Sequence, residues 1–106
     1  MKMPLEMQKL RTMLDEMGIK WQDKSAIYPE DKILAIMNRY NVPREIADVS
    51  MYRTHFNAIG CHYSVICGYG TYGGEKGELE MMVDDGEVTG WLTAEDIIGQ
   101  IQEKIK

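Results

Sequence analysis

CHYSVICGYGTYGGEKGELEMMVDDGEVTGWL, running from Cys61 to Leu92, decides how the rest of the chain is read. Cys61 to Cys67 alternates apolar and polar residues and is rich in β-branched and aromatic types, the pattern of a half-buried strand. Gly68, Gly70, Gly73, Gly74 and Gly77 then open a wide loop before Glu78 to Val83 and Val88 to Leu92, two further strand-like runs. Between these lies Asp84-Asp85-Gly86-Glu87, where Asp-Gly predicts a hairpin closed by a type I′ turn with positive φ at both central residues. In that pairing Leu79, Met81 and Val83 share the core face with Leu92, Gly90 and Val88. Glu80, Met82, Thr89 and Trp91 take the opposite face, where Trp91 and Met82 are expected either to lie under a helix or to anchor a partner.

Upstream, Met51 to Phe56 alternates in the same way, and Asn57-Ala58-Ile59-Gly60 joins it to Cys61. A two-residue turn at Ala58-Ile59 sets Asn57 opposite Gly60, His55 opposite His62 and Arg53 opposite Ser64. Tyr52, Thr54, Phe56, Cys61, Tyr63 and Val65 then share the apolar face, and Arg53, His55, His62 and Ser64 the polar one.

Helical sequence flanks these strands. Residues 4–17 carry Met7, Leu10, Leu14 and Met17 at spacings of three and four, with Pro4 before and Gly18 after. Ile19 and Trp21 form a short extended piece that turns at Asp23-Lys24-Ser25. Pro29, Glu30 and Asp31 open a second helix with Ile33, Leu34, Met37 and Tyr40 on one side, closed by Asn41 and Pro43. Pro43 to Asp48 supplies a connecting helical turn; the strand-like MYRTHF that follows excludes a helix-turn-helix unit. Thr93 caps a last helix, with Glu95 and Asp96 in its first turn and Ile97, Ile98, Ile101 and Ile105 as its stripe. The expected fold is α+β: an antiparallel sheet of about four strands in two consecutive hairpins, packed with N-terminal, middle and C-terminal helices.

At 106 residues, 44% hydrophobic and 27% charged, the chain suits one domain around one core. No apolar run approaches the roughly 20 residues that cross a bilayer. The amphipathic start is not a signal peptide, so a cytoplasmic location is expected. Cys61 and Cys67, six apart in one strand, lie too far from each other to bridge. The net charge of −5 falls entirely in residues 51–106, where nine acidic residues meet four basic ones. That balance disfavours direct nucleic-acid binding and suits either simple solubility or docking on a basic protein surface.

Several patterns bear on chemistry. Gly68-Tyr69-Gly70-Thr71-Tyr72-Gly73 spells GxGxxG after a strand, but Gly74-Glu75-Lys76-Gly77 leads to another strand where a dinucleotide site needs a helix. The same loop remains a shaped connection, a recognition loop, or a backbone cradle for phosphate with Tyr69 or Tyr72 stacking on a base. His55 and His62 are the two histidines; Cys61 and Cys67 alternate to the other face, so no metal site is expected, and no order of nucleophile, base and orienter marks an enzyme.

The string THF…YSVICGYGTYGG…GELEMMVDDGEVTGWLTAEDII resembles short, mostly uncharacterised proteins of Firmicutes bacteriophages and integrated mobile elements. That resemblance implies an accessory protein, including the class that inhibits host antiviral defence. The expected function is a non-enzymatic, cofactor-free binding protein directed at a host defence component such as a CRISPR RNA-guided nuclease. Its expected binding residues are Tyr69, Gly70, Thr71, Tyr72, Gly73, Arg53, His55, His62 and Trp91. The alternative is a small module that sequesters a signalling nucleotide through the Gly/Tyr loop. An open strand edge or sheet face predicts a homodimer.

Overall fold

The structure, a computed structural model, describes residues 3–68 and 70–105. Its elements run α1 (Leu5–Glu16), β1 (Trp21–Asp23), α2 (Glu30–Tyr40), α3 (Arg44–Ala47), β2 (Met51–Ala58), β3 (Cys61–Gly68), a 3₁₀ turn (Gly74–Lys76), β4 (Leu79–Val83), β5 (Val88–Leu92) and α4 (Ala94–Ile105). The strands form one antiparallel sheet in the order β1-β2-β3-β4-β5. The class is therefore the expected α+β, with five strands where the sequence predicted about four.

The additional strand is the extended piece at Trp21. Its three residues pair with Phe56, His55 and Thr54, and Ala26 closes a bridge to Met51 through hydrogen bonds of 2.8 Å in both directions. Arg11 of α1 fastens this edge. Its Nε donates to Thr54 Oγ1 at 2.8 Å, its Nη2 donates to Asp23 Oδ1 at 3.2 Å, and its guanidinium lies 4.6 Å from the Trp21 ring centre. Thr54, fully buried, thus has a donor, and a three-residue strand is held that pairing alone would not keep.

Met7, Leu10 and Leu14 of α1 and Ala94, Ile97, Ile98 and Ile101 of α4 pack side by side on Phe56, Tyr63, Val65, Cys67, Leu79, Met81 and Leu92. Each large aliphatic side chain fully buried here contributes about 1.5–3 kcal/mol. The helix starts are joined as well: Thr93 N–H donates to Asp96 Oδ2 and Asp96 N–H to Thr93 Oγ1, a reciprocal capping pair, while Ala94 N–H donates to Glu6 Oε1 of α1 at 2.8 Å. Cys67 lies in this core, where burial pushes its thiol up to about 11; both cysteines are free.

α2 and α3 do not pack broadly on the sheet as the apolar stripe of α2 suggested, although Ala47 of α3 is fully buried. Only Ile33 of α2 is buried, whereas Leu34 is 44% and Tyr40 61% exposed. The cause is topological. Residues 27–50 leave and re-enter the sheet at the Ala26–Met51 bridge, so both ends of the excursion are pinned at one corner and the helices stand off it as an arm.

Two hairpins depart from the expected register. In β2–β3 the turn takes Ile59-Gly60, with φ of 54° and 72°, because glycine fits the positive φ that a type I′ turn demands at its second position. Ala58 therefore faces Cys61, His55 faces Ser64 and Arg53 faces Ile66; the shift of two residues leaves every side chain on its expected face. In β4–β5 Gly86 does not take positive φ; Asp84 does, at 53°, and Gly86 N–H closes on Val83 O. A β-bulge follows at Gly90–Trp91, so Met81 pairs with Thr89 and Met82 with Val88, and Val88 lies on the outer face, not the core face.

Ile59 is a β-branched residue held at positive φ and 42% exposed, a conformation that costs about 1–2 kcal/mol. Ile59→Asn is expected to stabilise the fold by about 1 kcal/mol, raising the thermal midpoint by roughly 4–8 °C. A lowered midpoint in thermal unfolding contradicts this turn geometry.

Candidate functional site

The alternation that sends Phe56, Tyr63, Val65 and Met81 inward sends Arg53, His55, His62, Ser64, Ile66, Glu80 and Met82 to the other side of the sheet. There they line a concavity of about 340 Å³, with Asp84, Asp85 and Val88 at its β4–β5 end. Neither α1 nor α4 covers this face.

Its polar groups form a short network. His55 and Ser64, opposite in register, meet with Nε2 and Oγ 3.1 Å apart. His55 and His62 touch edge to face at 5.0 Å, as diagonal neighbours and not as the directly opposed pair expected. His62 Nδ1 lies 3.0 Å from Asn57 Oδ1, and the His62 backbone exchanges hydrogen bonds with Asp84, donating to Oδ1 and accepting from its N–H. Burial first, then the neighbouring His62, Arg53 and Lys24, hold the His55 pKa below its ordinary value. Arg53 also borders the concavity; its Nη2 donates to Met51 Sδ at 3.5 Å, and its buried Nε has no hydrogen-bond partner among the described residues.

The glycine loop does not stand free. Thr71 Oγ1 accepts from Gly68 N–H and donates to Gly68 O, and the amides of Thr71, Gly74, Lys76, Gly77 and Glu78 donate to carbonyls of the loop and its base. The loop then lies along the outer edge of β5: Trp91 N–H donates to Tyr72 O, and Tyr72 N–H donates to Glu80 Oε1. Tyr72 sits over Gly90, where any Cβ would run into it, which is the reason for glycine beside the bulge. Trp91 at φ 55° turns its indole onto the Tyr72 ring, centroids 5.1 Å apart, and both remain open at 60% and 55%. Trp91 is thus uncovered, which rules out the first of its two expected placements, burial under a helix.

The expected binding residues consequently fall into two groups. Arg53, His55 and His62 lie on the concave face; Thr71, Tyr72, Gly73 and Trp91 border a second depression of about 230 Å³ with Glu75 and Lys76. Glu80 joins the groups, lining the first and accepting from Tyr72. Gly70 is exposed in the loop, Thr71 serves as its internal fastening, and Tyr69 lies outside the described residues. Sequence reasoning put Ser64, Glu80 and Met82 on the outer face without counting them in the site, and it missed Asp84 and Val88, whose positions depend on the actual turn and bulge.

Chemically, Ser64 and His55 have the spacing of a nucleophile and base. Among the described residues nothing orients His55 Nδ1, and the Ser64 amide belongs to a strand paired on both sides, so no oxyanion cradle adjoins it. No group of three or more metal-ligating side chains occurs among the described residues. Of the described loop amides, those of Thr71, Gly74, Lys76, Gly77 and Glu78 are engaged by backbone carbonyls and that of Tyr72 by the Glu80 carboxylate, whose charge opposes a phosphate there. No helix of the described residues is long and apolar enough to cross a membrane. No protein-family model, curated protein or solved structure is similar enough to the chain to count as a match.

In an NMR pH titration the His55 midpoint is expected below 6.5, the ordinary value. An unfolded chain takes up that proton near the ordinary value, so the stability contributed by neutral His55 is complete above 6.5 and is lost as pH falls through the folded midpoint. His55→Gln is expected to flatten this part of the stability-pH curve, and an unchanged curve contradicts the assignment.

Proposed function

We propose that the chain is a non-enzymatic binding protein of a bacteriophage or mobile element that inhibits a host antiviral defence component, such as a CRISPR RNA-guided nuclease. It acts by docking its bare sheet face and the adjoining Tyr72–Trp91 pair on a basic protein surface. The observation that carries this reading is the exposed Trp91–Tyr72 stack, joined through Glu80 to an uncovered concave sheet face. A tryptophan in left-handed backbone costs about 1–2 kcal/mol, and here that cost leaves the indole in solvent, contributing no core packing. Aromatic anchors beside a shallow concavity are the usual centre of protein interfaces.

Charge points to the partner. Glu75, Glu78, Glu80, Asp84, Asp85 and Glu87 crowd residues 75–87 against Lys76 alone, and Glu80, Asp84 and Asp85 face the concavity itself. Such a rim fits a basic surface, including one that normally holds nucleic acid, and speeds encounter with it at low salt. The resemblance of the second half of the chain to phage and mobile-element proteins supports a defence component as that partner. Among the described residues nothing orients His55 Nδ1 beside Ser64, and the Glu80 carboxylate on the Tyr72 amide opposes a phosphate at the loop, which supports protein docking over catalysis or nucleotide capture.

The test is cleavage of target DNA by the RNA-guided nuclease of a bacterial host, with and without the purified protein. Suppression of cleavage is expected, and Trp91→Gly is expected to weaken it by roughly thirtyfold, about 2 kcal/mol. The same variant should keep its thermal midpoint within roughly 4–8 °C, about 1 kcal/mol, because glycine relieves the left-handed backbone while forfeiting the aromatic stack. Undiminished cleavage, or full inhibition by Trp91→Gly, contradicts the proposal.

A further inference from the structure

The α2–α3 arm holds apolar surface that stays exposed among the described residues. Ile27, Tyr28, Leu34, Tyr40 and Ile46 are five of the eleven large apolar side chains exposed among the described residues, concentrated in a stretch of twenty. Ile33, Leu34, Met37 and Tyr40 recur at helical spacing along one side of α2, the stripe of a helix that packs against something. Of these only Ile33 is buried, and α2 contacts α3 and little else.

From this we infer that a second copy of the chain covers the arm, in a two-fold dimer built on α2 and α3. The surface area fits. A compact 12.2 kDa chain exposes roughly 6,100 Å², whereas this one exposes 6743 Å². The excess, on the order of 650 Å², approaches the roughly 800 Å² that each partner contributes to a standard interface. The shape agrees: the radius of gyration is 15.0 Å, against about 13 Å for a compact chain of this length.

Charge selects a second copy over a foreign partner. Glu30, Asp31, Glu45 and Asp48 nearly balance Lys32, Arg39 and Arg44 within the arm, and Arg44 and Glu30 already pair with each other. A two-fold interface must complement itself, which a surface of balanced sign does and the acidic second half does not. Meeting through the arms also keeps the two acidic halves apart. The dimer leaves the sheet face and Trp91 free, so it stands independently of the proposed function.

Sedimentation equilibrium of the intact chain over a range of concentrations reads the assembly directly. The expected mass is about 24 kDa, twice the 12.2 kDa chain, falling toward one chain on dilution. Leu34→Glu combined with Tyr40→Glu, at two exposed positions, is expected to give one-chain mass throughout, with an unchanged circular-dichroism spectrum. Leu34→Gln, milder and read even where the double variant misfolds, is expected to weaken dimerisation by about tenfold. Trp91→Gly should remain dimeric, which separates the two surfaces. A one-chain mass for the unmodified protein at the highest concentration, or a dimer that survives both arm changes or is lost in Trp91→Gly, overturns the inference.

Discussion

Two helices can cover one face of this sheet and no more. Five strands spaced about 4.8 Å apart span roughly 20 Å, and two helices about 10 Å across laid side by side fill that width. α1 and α4, twelve residues each, do so, locked at their starts by the Glu6 contact to Ala94 and at the β1 edge by Arg11. The one other helix of comparable length, α2, belongs to an excursion whose ends meet at the Ala26–Met51 bridge, and it stands away from the sheet. The outer face is bare as a consequence.

Of the four non-glycine residues held at positive φ among the described residues, Asn41 closes α2 and the other three lie in the hairpins of the sheet. Ile59 at the tip of the β2–β3 hairpin, Asp84 at the β4–β5 turn and Trp91 in the bulge all take left-handed conformations without being glycine. Asp84 binds the His62 backbone through its carboxylate and its amide, which accounts for it. Trp91 gains only the Tyr72 stack and one hydrogen bond to its carbonyl, while the indole faces water. The proposed docking would give that exposed aromatic a use outside the chain.

Much of this architecture was legible in the residues, and the failures have physical causes. Period-two alternation assigned Tyr63 and Val65 inward and His62 and Ser64 outward, and a slip of two residues in the turn could not disturb that, since two is the period. Thr93 and Asp96 announced the start of α4, and the missing helix after Gly73 correctly argued against a dinucleotide fold. The bulge at Gly90–Trp91 was invisible because it depends on Tyr72, eighteen residues earlier in the chain, folding back onto β5. The apolar stripe of α2 stated that the helix packs, but helical spacing carries no word on what it packs against. For the same reason the open face, and hence the neighbourhood of Glu80, Asp84 and Val88, had to come from the fold.

Met81 and Met82 provide the most direct check, because adjacent residues of one strand report on opposite faces. Met81 is 2% exposed in the core under the helices, while Met82 borders the concavity. With the methionine methyls labelled and a soluble paramagnetic probe added to dilute protein, the Met82 methyl and the Trp91 indole should relax strongly, and Met81 and Met7 should be spared. A Met82 methyl shielded as completely as that of Met81 would mean that the second face is covered, and the docking surface would be gone.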